Sequence, residues 1–128
     1  MSTNALIGKI TIDHKNLGKD TIDFIYLHYD GYPGNVWPIL CHYNTPTKVD
    51  ELLSLGHLKL IDSKIERCEL FSNSGGSITT PKHKFYECIK INHEYIYMFT
   101  DVYGWALYNP KLERQLSFEH DGKTFTLL

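Results

Sequence analysis

The sequence predicts an α+β domain in which an antiparallel sheet carries two short helices inserted after its second strand. Three observations predict it. Nine Tyr, six Phe and two Trp make up 13% of the residues, and they concentrate in segments that alternate or run apolar, a pattern that favours strands. The helix-start and helix-stop signals fall together between Asn35 and Gly56, after only two such segments,. Beyond Gly56 the chain returns to short apolar runs divided by glycine-rich and Asp-Gly turns,. A chain of 128 residues suits one domain, residues 1–128, because single hydrophobic cores form in domains of about 100–150 residues.

Taken in order, residues 5–13 read as a first strand, 16–20 as its turn and 21–30 as a second strand. In the second, Ile22, Phe24 and Tyr26 lie on one face and Ile25, Leu27 and Tyr29 on the other, so both faces are apolar and the strand belongs inside its sheet,. Asp30-Gly31-Tyr32-Pro33-Gly34-Asn35 then makes a compact turn, with glycines free to take positive φ and Pro33 fixing its own,. Asn35 is expected to cap a helix over residues 36–43, with Pro38 in its first turn,. Thr47 and Asp50 stand at capping-box spacing, Val49, Leu52 and Leu53 share a face, and Gly56 is a ready stop, which predicts a second helix over residues 47–55,.

Strands are expected next over residues 57–62, 65–71 and 85–92, with a Ser/Gly loop at 72–77 that could act as a lid,. Residues 94–100 and 105–109 form one expected hairpin. A second turns at Asp121-Gly122 between residues 116–120 and 123–127, Asp-Gly being a strong two-residue hairpin signal,.

Composition narrows the function classes. Hydrophobic residues at 42% and charged residues at 22% allow a core without disulfides or metals,. The net charge of −2 comes from 15 acidic and 13 basic residues without long runs, so the clustered basic surface that long nucleic acids require is not expected. Lys82-His83-Lys84 reads as a solvated loop end,. Cys41, Cys68 and Cys88 are odd in number and far apart, which points to a reducing compartment,. No apolar run has the length of a membrane span and none at the start has signal-peptide form, so the expected address is the cytoplasm, without a membrane partner.

The chemistry-bearing motifs are sparse. No phosphate-cradling glycine loop, zinc-protease motif or nucleophile elbow is present,, and neither catalysis nor a cofactor is expected. Cys41 and His42 are neighbours on a helix, so their side chains diverge by about 100°, and Cys41 reads as a buried core cysteine. His83, Cys88 and His93 are spaced by five, which places successive side chains on opposite faces of a strand and argues against a metal centre,. His28 and Asp30 share a strand face and could pair, although a structural role at the turn is simpler. The ring surplus is the remaining feature: planar ligands, nucleobases above all, are held by stacking on aromatic side chains.

The run Ile25-Tyr26-Leu27-His28-Tyr29-Asp30-Gly31-Tyr32-Pro33, with Trp37-Pro38-Ile39-Leu40, His42-Tyr43, Lys48-Val49-Asp50-Glu51-Leu52-Leu53 and Leu55-Gly56, resembles the phage Thoeris anti-defence sponges of the first type. The resemblance spans about residues 24–62, with a weaker echo from Tyr95 to Trp105. Members of that family capture cyclic ADP-ribose signals made by bacterial TIR-domain enzymes. The resemblance implies an α+β fold, a homodimer or higher assembly with pockets at the subunit interface, and sequestration without cleavage in the cytoplasm of an infected bacterium.

No ligand contact of the family transfers by position, so candidates come from what a pyrophosphate-bearing cyclic nucleotide needs. Its pyrophosphate wants donors such as Arg67 and Arg114, its adenine wants a ring such as Phe71, Phe85 or Tyr32, and Asn92 could read a base edge or ribose hydroxyl,. Two arginines are few for a dianion, and a dimer would bring together arginines from two chains. Two rivals stand beside this reading: a phage inhibitor that binds a host protein through an aromatic surface, and a small nucleotide hydrolase using His28 and Asp30.

Overall fold

The structure, a computed structural model, describes residues 3–12, 15, 19–71, 76–81, 84–85, 95–101, 104–109, 116–120 and 123–127. The α+β class holds, and both helices follow the second strand. The chain runs β1 (Ala5–Thr11), β2 (Thr21–Leu27), α1 (Pro33–Leu40), α2 (Pro46–Ser54), β3 (Leu58–Leu60), a 3-10 turn (Ile65–Arg67), β4 (Glu69–Leu70), β5 (Ile78–Pro81), β6 (Tyr95–Thr100), β7 (Gly104–Asn109), β8 (Leu116–His120) and β9 (Lys123–Leu127). The described strands form one sheet in the order β4-β3-β2-β1-β6-β7-β8-β9, with β5 also paired to β2.

Most neighbours are antiparallel, beginning with β1 and β2 in the register Ala5↔Leu27 to Thr11↔Thr21. Two pairings, β1 with β6 and β2 with β3, are parallel. The second follows from the helices themselves. A chain leaving β2 and returning beside it in the same direction needs a crossover connection, and α1 and α2 supply one.

The helix starts differ from the sequence expectation for one reason. In both, a proline takes the first helical position, where its missing N–H goes unused and its fixed φ is already helical. Tyr32 therefore precedes Pro33 as N-cap of α1, without a side-chain cap bond, and Asn35 instead donates from Nδ2 to the Asp30 carbonyl at 2.8 Å. Thr45 precedes Pro46 in α2 and accepts the Lys48 N–H at 3.3 Å, so Thr47 is inside the helix and the expected capping box does not form. Pro38 lies beyond the first turn of α1 and is exposed. Gly56 does end α2, with φ of 81°, a value that costs glycine little.

Two further expectations change. Residues 65–71 divide into the 3-10 turn and the short β4, because Arg67 and Cys68 turn their N–H groups back onto the carbonyls of Lys64 and Ile65. Phe85 belongs to a helical turn with Lys84 rather than a strand, and residues 86–92 of the expected strand lie outside the described residues. β5 was not anticipated; it pairs with the first half of β2 from Thr21↔Pro81 to Phe24↔Ile78.

Asp30-Gly31-Tyr32-Pro33 is a structural corner. Asp30 takes a left-handed φ of 55°, which its short polar side chain tolerates better than most. Gly31 packs against the start of β1: its N–H donates to the Thr3 carbonyl at 2.7 Å and its own carbonyl accepts the Tyr97 hydroxyl at 2.7 Å. A Cβ at Gly31 would stand 2.9 Å from the Ala5 Cβ, the Asn4 carbonyl carbon and the Thr3 carbonyl oxygen. The corner therefore ties β2, α1, β1 and β6 to one point.

Alternation along the strands gives the sheet two apolar faces. One, built from Ala5, Ile7, Ile25, Leu27, Leu58, Tyr97, Phe99, Trp105 and Leu107, is covered by Val36 and Leu40 of α1 and Val49, Leu52 and Leu53 of α2. The other holds Leu6, Ile10, Ile22, Ile96, Met98 and Ala106, with Phe85 packed among them and Phe24 and Tyr26 half-buried at its side. Lys9 of β1 is paired with Asp50 of α2 at 2.9 Å, at the helix-covered face.

Candidate functional site

The second face opens where β2 runs out. Tyr26 lies on it, and His28, two residues on, shares that side. The His28 ring is the centre of an aromatic group, with ring centroids 4.4 Å from Tyr29, 5.0 Å from Phe71 and 5.8 Å from Tyr26. Tyr26 and Phe71 complete a triangle at 6.0 Å, near edge-on. These are ordinary separations for aromatic pairs in contact. The triangle is closed, so its outer surface is what it offers. Tyr29 is 42% exposed and Tyr32, just beyond the corner, 46%.

The backbone beneath this group is pinned by an unusual partner. β5 takes the first half of the outer edge of β2 and β3 takes Leu27, leaving the Tyr26 N–H between them. His57 fills that place: its Nδ1 accepts the Tyr26 N–H at 2.9 Å, satisfying a donor that a strand carbonyl would otherwise take. The His57 carbonyl in turn accepts the Phe71 N–H at 2.9 Å. His57 thus fixes Tyr26 and Phe71 relative to one another. Past it, His28 and Tyr29 donate their N–H groups to the carbonyls of Leu58 and Lys59, each at 3.0 Å.

Side-chain polarity is concentrated at one pair. The Tyr26 hydroxyl lies 3.0 Å from His28 Nδ1. His28 therefore has a phenol partner, and the His28–Asp30 pair weighed from the sequence does not form. Instead the Asp30 backbone turns at the corner and its carbonyl serves Asn35.

A second polar group lies on the helix side. The Tyr43 hydroxyl donates to the Asp62 carbonyl at 2.6 Å, and the Asp62 N–H donates to Cys68 Sγ at 3.4 Å. Burial pushes the Cys68 thiol up from its ordinary range, which keeps it protonated and a poor nucleophile. Cys41, expected in the core, is exposed: it follows Leu40, which takes the inward position as α1 ends. Among the described residues no three His, Cys, Asp or Glu side chains converge as a metal site; His83, Cys88 and His93 lie outside them.

Of the candidate ligand residues, Phe71 joins the His28 group. Tyr32 is exposed at the N-cap of α1, and Arg67 is exposed at the end of the 3-10 turn leading into β4. Phe85 is only 2% exposed and meets Phe24 edge-on at 5.1 Å, so its ring is engaged in packing. Asn92 and Arg114 lie outside the described residues. Sequence reasoning missed Tyr26 and His57 as members of the group. The i, i+2 spacing of Tyr26 and His28 was a usable signal, whereas nothing local announces that His57 reaches across to β2.

No protein-family model, curated protein or solved structure matches the chain.

Proposed function

We propose that the protein is a non-catalytic sponge for a nucleotide signal of the cyclic ADP-ribose type, acting in the cytoplasm of an infected bacterium. One observation carries this reading: the His28, Tyr29, Phe71 and Tyr26 rings form a braced aromatic platform at the open end of β2, with Tyr29 42% exposed. Stacking of a base on such rings contributes about 1–3 kcal/mol each, and a platform held by backbone bonds loses little entropy when a ligand arrives. The pairing of His28 with a phenol, and the raised thiol of Cys68, favour binding over the hydrolase alternative. Sequestration needs only abundance and slow release.

Calorimetric titration with cyclic ADP-ribose isomers, followed by heat release of the ligand and chromatography, tests the reading. The expected result is tight binding with the ligand recovered unchanged. Altered ligand would make the protein an enzyme, and no binding of any isomer would sink the proposal.

A second reading has its own observation. Leu70 on β4 and Ile78 on β5 are 52% and 45% exposed, both on short strands beside the platform, and apolar edges of this kind suit a protein partner. If a host protein is the target, Leu70→Asp with Ile78→Asp abolishes inhibition of that protein while leaving nucleotide titrations unchanged.

A further inference from the structure

We propose that His28 and Lys59 form the anion-recognising half of this site, and that together they select a ring ligand carrying phosphate over the same ring without it. The inference rests on the nucleotide reading above and assigns roles that the rings alone do not supply.

The first step is the state of His28. A phenol is a good donor, and its oxygen is a weak acceptor because its lone pair is shared with the ring; a neutral imidazole nitrogen is a strong acceptor. Across the 3.0 Å contact, the stronger arrangement has the Tyr26 hydroxyl donating to His28 Nδ1. That leaves Nε2, the other ring nitrogen, as the N–H donor of His28. Nε2 has no partner among the described residues. His28 is half-buried, with its ring in contact with those of Tyr29 and Phe71.

The second step is the neighbouring charge. β2 and β3 run parallel with Leu27 beside Leu58, and just past the end of β2 the N–H groups of His28 and Tyr29 donate to the carbonyls of Leu58 and Lys59. His28 and Lys59 are thus lateral neighbours, about 4.8 Å apart in the backbone. Leu58 is buried on the helix face and Lys59 is exposed, so alternation puts Lys59 on the same side as His28. Lys59 forms no ion pair among the described residues, and neither does Arg67 in the turn between β3 and β4. The nearest acids along the chain, Asp62 to Lys59 and Glu66 to Arg67, form no ion pair with them among the described residues.

Rings and donors therefore adjoin: Phe71 and Tyr29 offer rings, His28 an N–H, and Lys59 an ammonium without an ion pair among the described residues. A phosphoryl oxygen uses both donors, because hydrogen bonds to an anion are about twice as strong as neutral ones. A bare nucleoside uses only the rings.

The test compares cyclic ADP-ribose with adenosine on the full chain by calorimetry. His28→Phe keeps a ring and removes the donor; Lys59→Gln, at an exposed position, keeps a polar side chain and removes the charge. Each variant is expected to lose about tenfold in affinity for cyclic ADP-ribose; Lys59→Gln, outside the ring platform, is expected to change adenosine binding by less than about twofold, since stacking is retained. Nitrogen-15 spectra of the wild-type imidazole are expected to place the His28 proton on Nε2. If wild type binds neither probe, the nucleotide reading fails and this inference with it. If wild type binds but both variants keep its full preference for the phosphate-bearing ligand, or the proton sits on Nδ1, the assignment of His28 and Lys59 is wrong while the sponge stands.

Discussion

The two faces of the sheet use aromatic side chains in opposite ways. On the face covered by α1 and α2, three buried polar ring ends are tied to backbone carbonyls: Tyr97 to Gly31, Tyr43 to Asp62 and Trp105 Nε1 to Tyr43 at 2.7 Å. Those rings are buried and their hydrogen bonds join distant parts of the chain. On the other face, the Tyr26 hydroxyl and His28 Nδ1 partner one another, and both rings are half-buried. The difference teaches that a surplus of rings is not one property. Rings bonded to backbone act as fasteners, and rings bonded to each other remain a surface.

The largest effect that could break this contrast is at the corner joining the two. Gly31→Val drives a side chain into the start of β1, where even a Cβ would be 2.9 Å from three heavy atoms. We expect a loss of about 3 kcal/mol in urea unfolding; a loss below about 0.5 kcal/mol would mean that the corner yields easily and fastens nothing.

Next, on the open face, Tyr29→Ala should reduce affinity for cyclic ADP-ribose by about 2 kcal/mol while shifting stability by less than about 0.5 kcal/mol, because the ring is 42% exposed. Equal losses in both quantities would make Tyr29 a packing residue and erase the contrast.

On the sealed face, Tyr97→Phe removes only the hydroxyl bonded to Gly31, at an expected cost of about 1–2 kcal/mol. The same fasteners set an alkaline limit. Burial raises the phenols of Tyr97 and Tyr43 above the ordinary tyrosine range. A group whose folded pKa is raised contributes stability that is complete below its unfolded pKa, about 10 for tyrosine, and is lost as pH climbs beyond it. Ultraviolet titration should therefore find that the buried phenols ionise only with unfolding, above about pH 10, and circular dichroism should register the loss at the same pH. Ionisation of all nine tyrosines with the fold intact would contradict the sealed face.

The smallest effect is Lys9→Met. Its ammonium is bonded to an Asp50 carboxylate that is largely exposed, so thermal unfolding should move by the equivalent of less than about 1 kcal/mol.

The sequence was most legible where one local signal decided the outcome. β2 reads as an internal strand because both of its faces are apolar, and Gly56 ends α2 because glycine alone takes its φ cheaply,. The helix starts were misplaced because Ser, Thr, Asn and Asp compete as caps, whereas proline at the first helical position overrides them. Cys41 was misread because two residues adjacent on a helix end face different directions, and only the packing of Leu40 decides which goes inward. At the candidate site, Phe71 could be named from its chemistry and the Tyr26–His28 spacing was visible, but Phe85 carries the same chemistry and is committed to the core.

By itself, then, the sequence determined the α+β class, the placement of two helices after the second strand and the excess of rings, since periodicity, glycine and proline act over a few residues. Only the tertiary structure decided which rings were sealed, that β3 lies parallel to β2, and that His57 crosses to Tyr26 and Lys59 comes beside His28. Those outcomes depend on contacts between segments 19 to 66 residues apart, and the energy of a hydrogen bond or a buried ring depends on which partner arrives, not on the residues next to it in the chain.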